Sequence, residues 1–296
     1  MTLLDPEERR LYTDALRPPP GMRFDAGVGT TYSLDLETLL TVPLHLLLYS
    51  GEEGEEELLE GGVALLRALR SISSRLTIYC ERGRILDPAA SRRLYGLLEE
   101  IAVRVAPPSE HGSFHPKLWL LRFRDPEQGR RHLRLLVLSR NLTRDLSWDL
   151  MLRLEGRPGE EVVIENAPLA EFLGDLGGAP SGGRDESTAG APSGSAYDGA
   201  TGDAPPDLLD DLRHASWDLP EGFDRVRFHV TGPERGGWLP EKSDRLLTVS
   251  PFLSTTALEK LVATTGEARG LLSRPEELLE MSEDALSSFG DVYELD

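Results

Sequence analysis

Four side chains could act together on one phosphoryl group: His115, Lys117, Ser139 and Asn141. They lie in the stretch His111–Asp149, which reads HGSFHPKLWLLRFRDPEQGRRHLRLLVLSRNLTRDLSWD. His115 and Lys117 stand at the mouth of one apolar strand. The turn Asp125-Pro126-Glu127-Gln128-Gly129 follows, then a second apolar strand, Leu133 to Leu138, which empties into Ser139-Arg140-Asn141-Leu142-Thr143. A β-hairpin brings the start of its first strand beside the end of its second. An imidazole, an ammonium, a hydroxyl and an amide are therefore expected to converge at one end of a sheet. Such a set can supply a nucleophile or proton carrier, and donors for anionic oxygens.

The residues H-P-K and S-R-N at this spacing resemble the motif of the phospholipase D superfamily, an H-x-K followed by a short strand and then G-S-x-N. The resemblance runs over about Tyr32 to Gly156. Leu138 stands where Gly is usual, and Arg122 stands where the family carries an Asp, which several nuclease and phosphodiesterase branches also lack. The resemblance implies that one motif's histidine attacks phosphorus while a second motif's histidine protonates the leaving group. His115 would take one of these roles. Lys117 would neutralise the non-bridging oxygens, Asn141 and Ser139 would donate to them, and Asp149 would hold a histidine ring in one tautomer. No metal and no cofactor is required in that chemistry. Asp149 also reads as a structural acid, and Ser139 and Asn141 as ordinary turn residues.

Charge narrows the partner classes. The chain of 296 residues carries a net charge of −19, which argues against a protein that coats nucleic acid nonspecifically. From His111 to Asp145, however, there are eight basic residues and three acidic ones, a net of +5. Arg122, Arg140 and Arg144 of this window are the expected substrate-binding residues, forming a rim that follows phosphates. Apolar residues make up 39% of the chain, enough for a real core, and no run is long enough to span a membrane. The first ten residues show no apolar stretch of the signal-peptide kind. Cys80 is the one cysteine, so no intramolecular disulfide is expected, and a reducing, cytoplasmic setting fits. His111 and His115 are four apart, but Gly112 and Ser113 argue against a helix there, so no metal site is expected. Trp119 and Trp148 read as packing residues.

The expected fold is α/β, a phospholipase D-like mixed, mainly parallel sheet flanked by helices, with an incomplete second repeat. A helix opening at Asp5-Pro6 stops by Arg17-Pro18. A short helix spans Leu34–Leu40 and Pro43 ends it, with Leu44–Tyr49 a buried strand. Glu52 to Glu60 reads as solvated. Val63, Leu66, Leu69 and Ile72 recur at helical spacing, Arg75–Cys80 is a strand, and Asp87-Pro88 opens a helix whose apolar face is Leu94, Leu97, Leu98 and Ile101. Ala102–Val105 is a third strand. Strand–helix alternation of this kind implies right-handed crossovers. Because His115 lies at a strand start, the hairpin must be antiparallel to part of the sheet. A strand at Leu150–Leu154, then Val162–Glu165 and a helix at Pro168–Leu176 complete the first part, and after the 177–207 segment the chain resumes with a helix at Asp207–Arg213 and a strand at Val226–Val230.

Residues 1–176 are expected to form the first half, 177–207 a flexible linker and 208–296 an incomplete second half. Of the 31 linker residues 22 are Gly, Ala, Ser or Pro. After it, strands at Arg245–Val249, Gly270–Ser273 and Asp291–Leu295 alternate with helices opening at Thr256 and Pro275. This echoes the order before His115, with Arg245–Val249 matched to Leu44–Tyr49. No second His-x-Lys occurs in the sequence. The site is then expected to be completed by a homodimer partner or by a C-terminal half outside this sequence. The leading functional expectation is a metal-independent nuclease cleaving DNA or RNA, by analogy one acting in phage defence or restriction with defence-system partner proteins. The alternatives are a non-catalytic nucleic-acid-binding or assembly module, and a phospholipid-hydrolysing enzyme, for which no amphipathic membrane helix is found.

Overall fold

The computed structural model of the chain describes residues 12–48, 69–86, 98, 100–107, 112–145, 149–178, 204–232 and 236–295. The central strand is β1 (Arg23–Thr31). On one side it pairs in parallel with β3 (Leu76–Glu81), which pairs in parallel with β5 (Ala102–Val105). On the other side it pairs antiparallel with β6 (Leu118–Arg124). Then come β7 (Arg131–Leu138), β8 (Met151–Pro158) and β9 (Ala215–Asp218), each antiparallel to its neighbour. A small parallel ladder joins β2 (Leu34–Asp35) to β4 (Ile85–Leu86). The α/β fold and its mixed sheet flanked by helices are as the sequence implies, and the hairpin is antiparallel to β1.

Successive side chains of a strand face opposite ways, so each strand feeds two cores. Trp119, Leu121 and Phe123 of β6 join one core. It is covered by α1 (Tyr12–Leu16), α2 (Leu36–Leu48) and helical residues 69–73. Leu118 and Leu120 join the other core, covered by α3 (Ala167–Gly178) and α4 (Pro206–Arg213). The turn between β6 and β7 is built as the sequence implies. Asp125 Oδ1 accepts from the backbone N–H groups of Glu127 and Gln128, and Gly129 takes the positive φ of 69° that closes it.

The structure corrects several expected elements. Leu44–Leu48 is helix and not strand, because α2 continues through Pro43. Leu36, Leu39, Val42 and Leu46 line its buried side at helical spacing, and that burial outweighs one lost backbone hydrogen bond. Sequence reading omits β9 and the two short strands β2 and β4, and also the central strand β1, whose Gly27 and Gly29 dilute the pattern. Gly29 is required by packing: a Cβ there would stand 3.0 Å from the ring of Trp119, its cross-strand neighbour. Val226–Val230 has period-two burial, but it joins no ladder, and Val226 and Phe228 lie against the core without strand partners. Val162–Glu165 leads into a short 3-10 helix, Ile164–Asn166. The helix expected from Asp5, the acidic run from Glu52, and most of the Asp87 helix and the 177–207 segment lie outside the described residues.

Two compact units divide at Val230 and Thr231, and not at 207 and 208. The α4 helix and β9 belong to the first unit. A buried ion cluster shows why. Arg122 of β6 is 6% exposed. Its Nε donates to Asp25 at 2.6 Å, its Nη1 to Asp211 at 3.0 Å and its Nη2 to Asp207 at 2.7 Å. Asp207 and Asp211 lie one turn apart on α4. Asp25 sits at an irregularity in β1, where the register skips between Phe24 and Ala26. Arg131 adds a second contact to Asp211 at 2.5 Å.

The second unit, Thr231–Asp296, holds β10 (Ser243–Val249), β11 (Thr265–Ser273) and β12 (Asp291–Glu294), all parallel in that order. Three helices connect them: α5 (Thr255–Val262), α6 (Pro275–Glu280) and α7 (Glu283–Ser287). Ser254 caps α5 by accepting from the Ala257 N–H, two residues before the cap expected at Thr256. The sequential parallel order repeats that of β1, β3 and β5. The counterpart of β10 by topology is therefore β1.

Truncating Arg122 to Ala would leave three carboxylates facing one another, with Asp211 withdrawn from solvent. The expected loss is about 3–5 kcal/mol of unfolding free energy, read as a lowered urea midpoint of the first unit. A loss below about 1 kcal/mol would show that the surface-pair limit applies instead.

Candidate active site at the carboxyl end of β1

Strand directions gather the candidate residues at one edge of the sheet. The carboxyl ends of β1, β3 and β7 and the amino ends of β6 and β8 all lie there. Two consecutive threonines close β1. Thr30 Oγ1 accepts from the Leu118 N–H at 3.1 Å, directly after Lys117. Thr31 Oγ1 accepts from the Leu142 N–H at 3.0 Å, directly after Asn141. Leu142 also returns its carbonyl to the Asp35 N–H at 2.9 Å. The segment leaving β7 must cross the amino end of β6 to make these bonds, because β6 lies between β7 and β1. The Leu138 N–H meets the Lys117 carbonyl at 2.8 Å. Main-chain bonds thus bring both halves of the H-x-K and S-x-N pattern to one place.

His115 and Lys117 form a direct pair. Lys117 Nζ lies 3.0 Å from His115 Nδ1 and 3.2 Å from Nε2, and 3.1 Å from the His115 carbonyl oxygen, to which it donates. An ammonium can donate to the ring only where a nitrogen carries a lone pair, so the pair fits a neutral imidazole. His115 is open to solvent at its outer side, whereas Lys117 is 8% exposed. Burial lowers the Lys117 ammonium to about 8. Partial desolvation, and then the Lys117 charge, lower the His115 imidazole from its ordinary value, while Glu81 pulls the other way. At neutral pH this is a neutral imidazole beside a cation.

Tyr32, the residue after β1, lies under the pair. Its ring centroid is 5.0 Å from that of His115 and 5.9 Å from Lys117 Nζ. Glu81 at the end of β3 is buried and accepts from the Phe114 N–H at 2.6 Å, which anchors the approach to His115. Neither residue was picked out from sequence. Tyr32 follows β1 and Glu81 ends β3, both at the carboxyl edge where open α/β sheets place ligands.

Ser139, Asp149 and Arg140 form a second group. The Ser139 hydroxyl donates to Asp149 Oδ1 at 2.9 Å and accepts from the Leu150 N–H at 2.9 Å. Its proton is therefore held by Asp149 and not offered to a phosphate. Asp149 takes this hydroxyl, with Arg140 Nη1 at 3.6 Å, where a histidine ring was expected. Among the described residues Asn141 makes no side-chain hydrogen bond, and its Oδ1 is buried without a partner. No described hydrogen bond joins Asn141 to His115 or Lys117.

The expected arginine rim is corrected. Arg122 is buried in its aspartate cluster, so it faces no substrate. Arg144 pairs with Asp35 at 3.1 Å and with Glu37. Arg140 Nη2 donates to the carbonyls of Thr143 and Asp145. Arg130 pairs with Asp125, and Arg134 is 2% exposed with Glu155 against it. The positive window is largely neutralised by its own neighbours. Trp119 is a core residue, as expected, and so is Cys80, whose thiol burial pushes up to about 12. His111 and Trp148 lie outside the described residues. Among the described residues no group of three or more His, Cys, Asp or Glu side chains is placed to hold a metal. None of the described helices is long and apolar enough to cross a membrane.

No protein family matches the chain by sequence. No curated protein matches it either. Nineteen chains of solved structures are similar to it. One is a mutant of yeast tyrosyl-DNA phosphodiesterase, at 9% identity and a TM-score of 0.41, covering 95% of this chain and 64% of that one. Another is polyphosphate kinase from Porphyromonas gingivalis, at 12% identity and a TM-score of 0.36, covering 88% of this chain and 34% of that one. The chain spans less than two thirds of the length of either.

Lys117 is expected to titrate near 8, well below an ordinary lysine, with its side-chain Cε resonance as the readout in an NMR pH series. A midpoint above 10 would show that the ammonium is solvated and not withdrawn beside His115.

Proposed function

We propose that this chain is a metal-independent phosphodiesterase, a nuclease cutting DNA or RNA through a phosphohistidine intermediate. The His115–Lys117 pair carries the reading, with a solvent-open imidazole at 3.0 Å from an ammonium. A neutral ring nitrogen of His115 attacks phosphorus as the bond to the leaving oxygen breaks. Lys117 neutralises charge on the non-bridging oxygens, where a desolvated cation acts most strongly. Asn141 is available to donate to the same oxygens through its amide. Water then attacks the phosphohistidine and frees the imidazole. The leaving oxygen needs a proton, and a second copy of the chain facing the first would supply it from its own histidine.

The reading also accounts for what Ser139 and Asp149 do. Their bond, with Arg140 beside it, braces the segment that carries Asn141, so they act as positioning residues. A role in restriction or phage defence rests on the style of the S-R-N-L-T motif alone.

The expected outcome is cleavage of a DNA or RNA strand that survives EDTA and falls by about 10²–10⁴-fold in His115→Ala. Full activity in that variant, or an absolute need for a divalent ion, would overturn the mechanism. In the pH profile, the attacking histidine must be neutral while the second copy's histidine and the lysine are charged. The value of kcat/KM should therefore peak near the lowered histidine midpoint, below 6.5, and fall on both sides of it, with loss of the lysine's charge through about 8 adding to the alkaline fall. If two copies share the site, the rate should grow with the square of protein concentration where the dimer is sparse. A strictly linear dependence throughout would place the proton donor within one chain.

A further inference from the structure

One cation at this edge of the sheet is not neutralised in the manner of the hairpin arginines. Arg84 lies in the turn that follows β3. The Arg84 N–H bonds to the Glu81 carbonyl at 3.1 Å, and the Arg84 carbonyl accepts from the Leu34 N–H at 3.0 Å. Gly83 takes a φ of 80° between them, a conformation other residues adopt only with strain. The main chain of Arg84 is thus fixed on both sides. Its guanidinium carbon lies 5.0 Å from the centre of the Tyr32 ring. The same ring has Lys117 Nζ within 5.9 Å and the His115 ring within 5.0 Å of its centre. The side chain of Arg84 is 55% exposed. Among the described residues it pairs with Glu81, at 3.5 Å from Nε, and the other oxygen of Glu81 is held by the Phe114 N–H. Among the described residues, that contact leaves the outer nitrogens of the fork free to meet a ligand.

We infer that Arg84, laid across Tyr32, is the second phosphate-contacting cation of this site and grips the phosphate next to the one held by Lys117. The inference rests on the phosphodiesterase reading for the phosphate at Lys117. It also narrows the substrate class. With Arg122, Arg130, Arg134 and Arg144 paired to carboxylates, the described residues of the hairpin offer no long basic track for an extended polyanion. The site holds a nucleic-acid strand at about two adjacent phosphates. A planar fork suits such a contact, because it can take two oxygens of one phosphate while its face stays on the aromatic ring.

The experiment compares wild-type protein with Arg84→Ala and Arg84→Lys, using a single-stranded oligonucleotide and the single-phosphate diester bis(p-nitrophenyl) phosphate. On the oligonucleotide, kcat/KM should fall roughly tenfold or more in Arg84→Ala and only partly recover in Arg84→Lys, which keeps the charge but not the fork. On the small diester the change should stay below about twofold. Binding is read separately, by fluorescence anisotropy of the oligonucleotide on the His115→Ala protein over a range of salt. The slope of log affinity against log salt should be near −1.4, as for about two phosphates of a single strand, and should drop by about 0.7 in the double variant. Equal losses on both substrates would overturn the inference, because Arg84 would then serve the scissile phosphate or the His115 loop. An unchanged slope would overturn it as well. Tighter binding of inorganic polyphosphate than of the oligonucleotide would replace the strand by a bare phosphate chain. If no diester is cleaved by wild type while the slopes behave as stated, the cleavage reading fails and the two-phosphate contact stands.

Discussion

Two hydroxyls at the end of β1 determine where everything else at the site can be. Thr30 accepts the N–H that follows Lys117, and Thr31 accepts the N–H that follows Asn141. A backbone N–H buried without a partner costs about 1–3 kcal/mol, so these two bonds are not optional. They tie the mouth of β6 and the exit of β7 to one strand end. Gly29, just before them, lets the Trp119 indole lie flat against β1 and brings β6 in close. Tyr32, just after them, lies under the imidazole and between two cations. Position in this site is therefore set by main chain, with the reactive side chains placed as a consequence.

Electrostatics follows a similar economy. A chain with a charge of −19 has acids to spare, and the hairpin arginines take them up. Asp25, Asp207 and Asp211 surround Arg122; Glu155 meets Arg134, Arg153 and His132; Asp35 and Glu37 meet Arg144. The Arg122 cluster holds α4 on the sheet, and the Glu155 cluster ties β8 to β7. Lys117 is different. Among the described residues it has no carboxylate partner in its hydrogen bonds, and burial lowers its affinity for a proton. A cation of this kind gains most from an arriving anion.

Much of this was legible in the sequence. The hairpin, its Asp-Pro-Glu-Gln-Gly turn, the two strands that flank it and the helix–strand order of the second unit follow from periodicity and turn chemistry. The pairing of His115 with Lys117 follows from their spacing in an extended chain, two residues apart on one face. The errors have physical causes. Glycines hid β1, because their value lies in what packs over them. Proline hid the length of α2, because a buried apolar side outweighed one missing bond. The arginine rim failed because charge in a window does not tell which carboxylates fold back on it, and those of Arg122 come from both ends of the first unit. Tyr32, Glu81 and Arg84 lie in no motif, and only the sheet order brings them to the pair.

Residue 122 illustrates how such a cluster constrains sequence. Asp25, Asp207 and Asp211, from β1 and α4, meet one guanidinium that is itself withdrawn from solvent. An acid at 122 would set four carboxylates side by side. It becomes tolerable only where Asp25, Asp207 and Asp211 are each changed, and each of those changes alone strands part of the guanidinium. The position is entrenched: the side chains it can accept depend on residues nearly a hundred positions away.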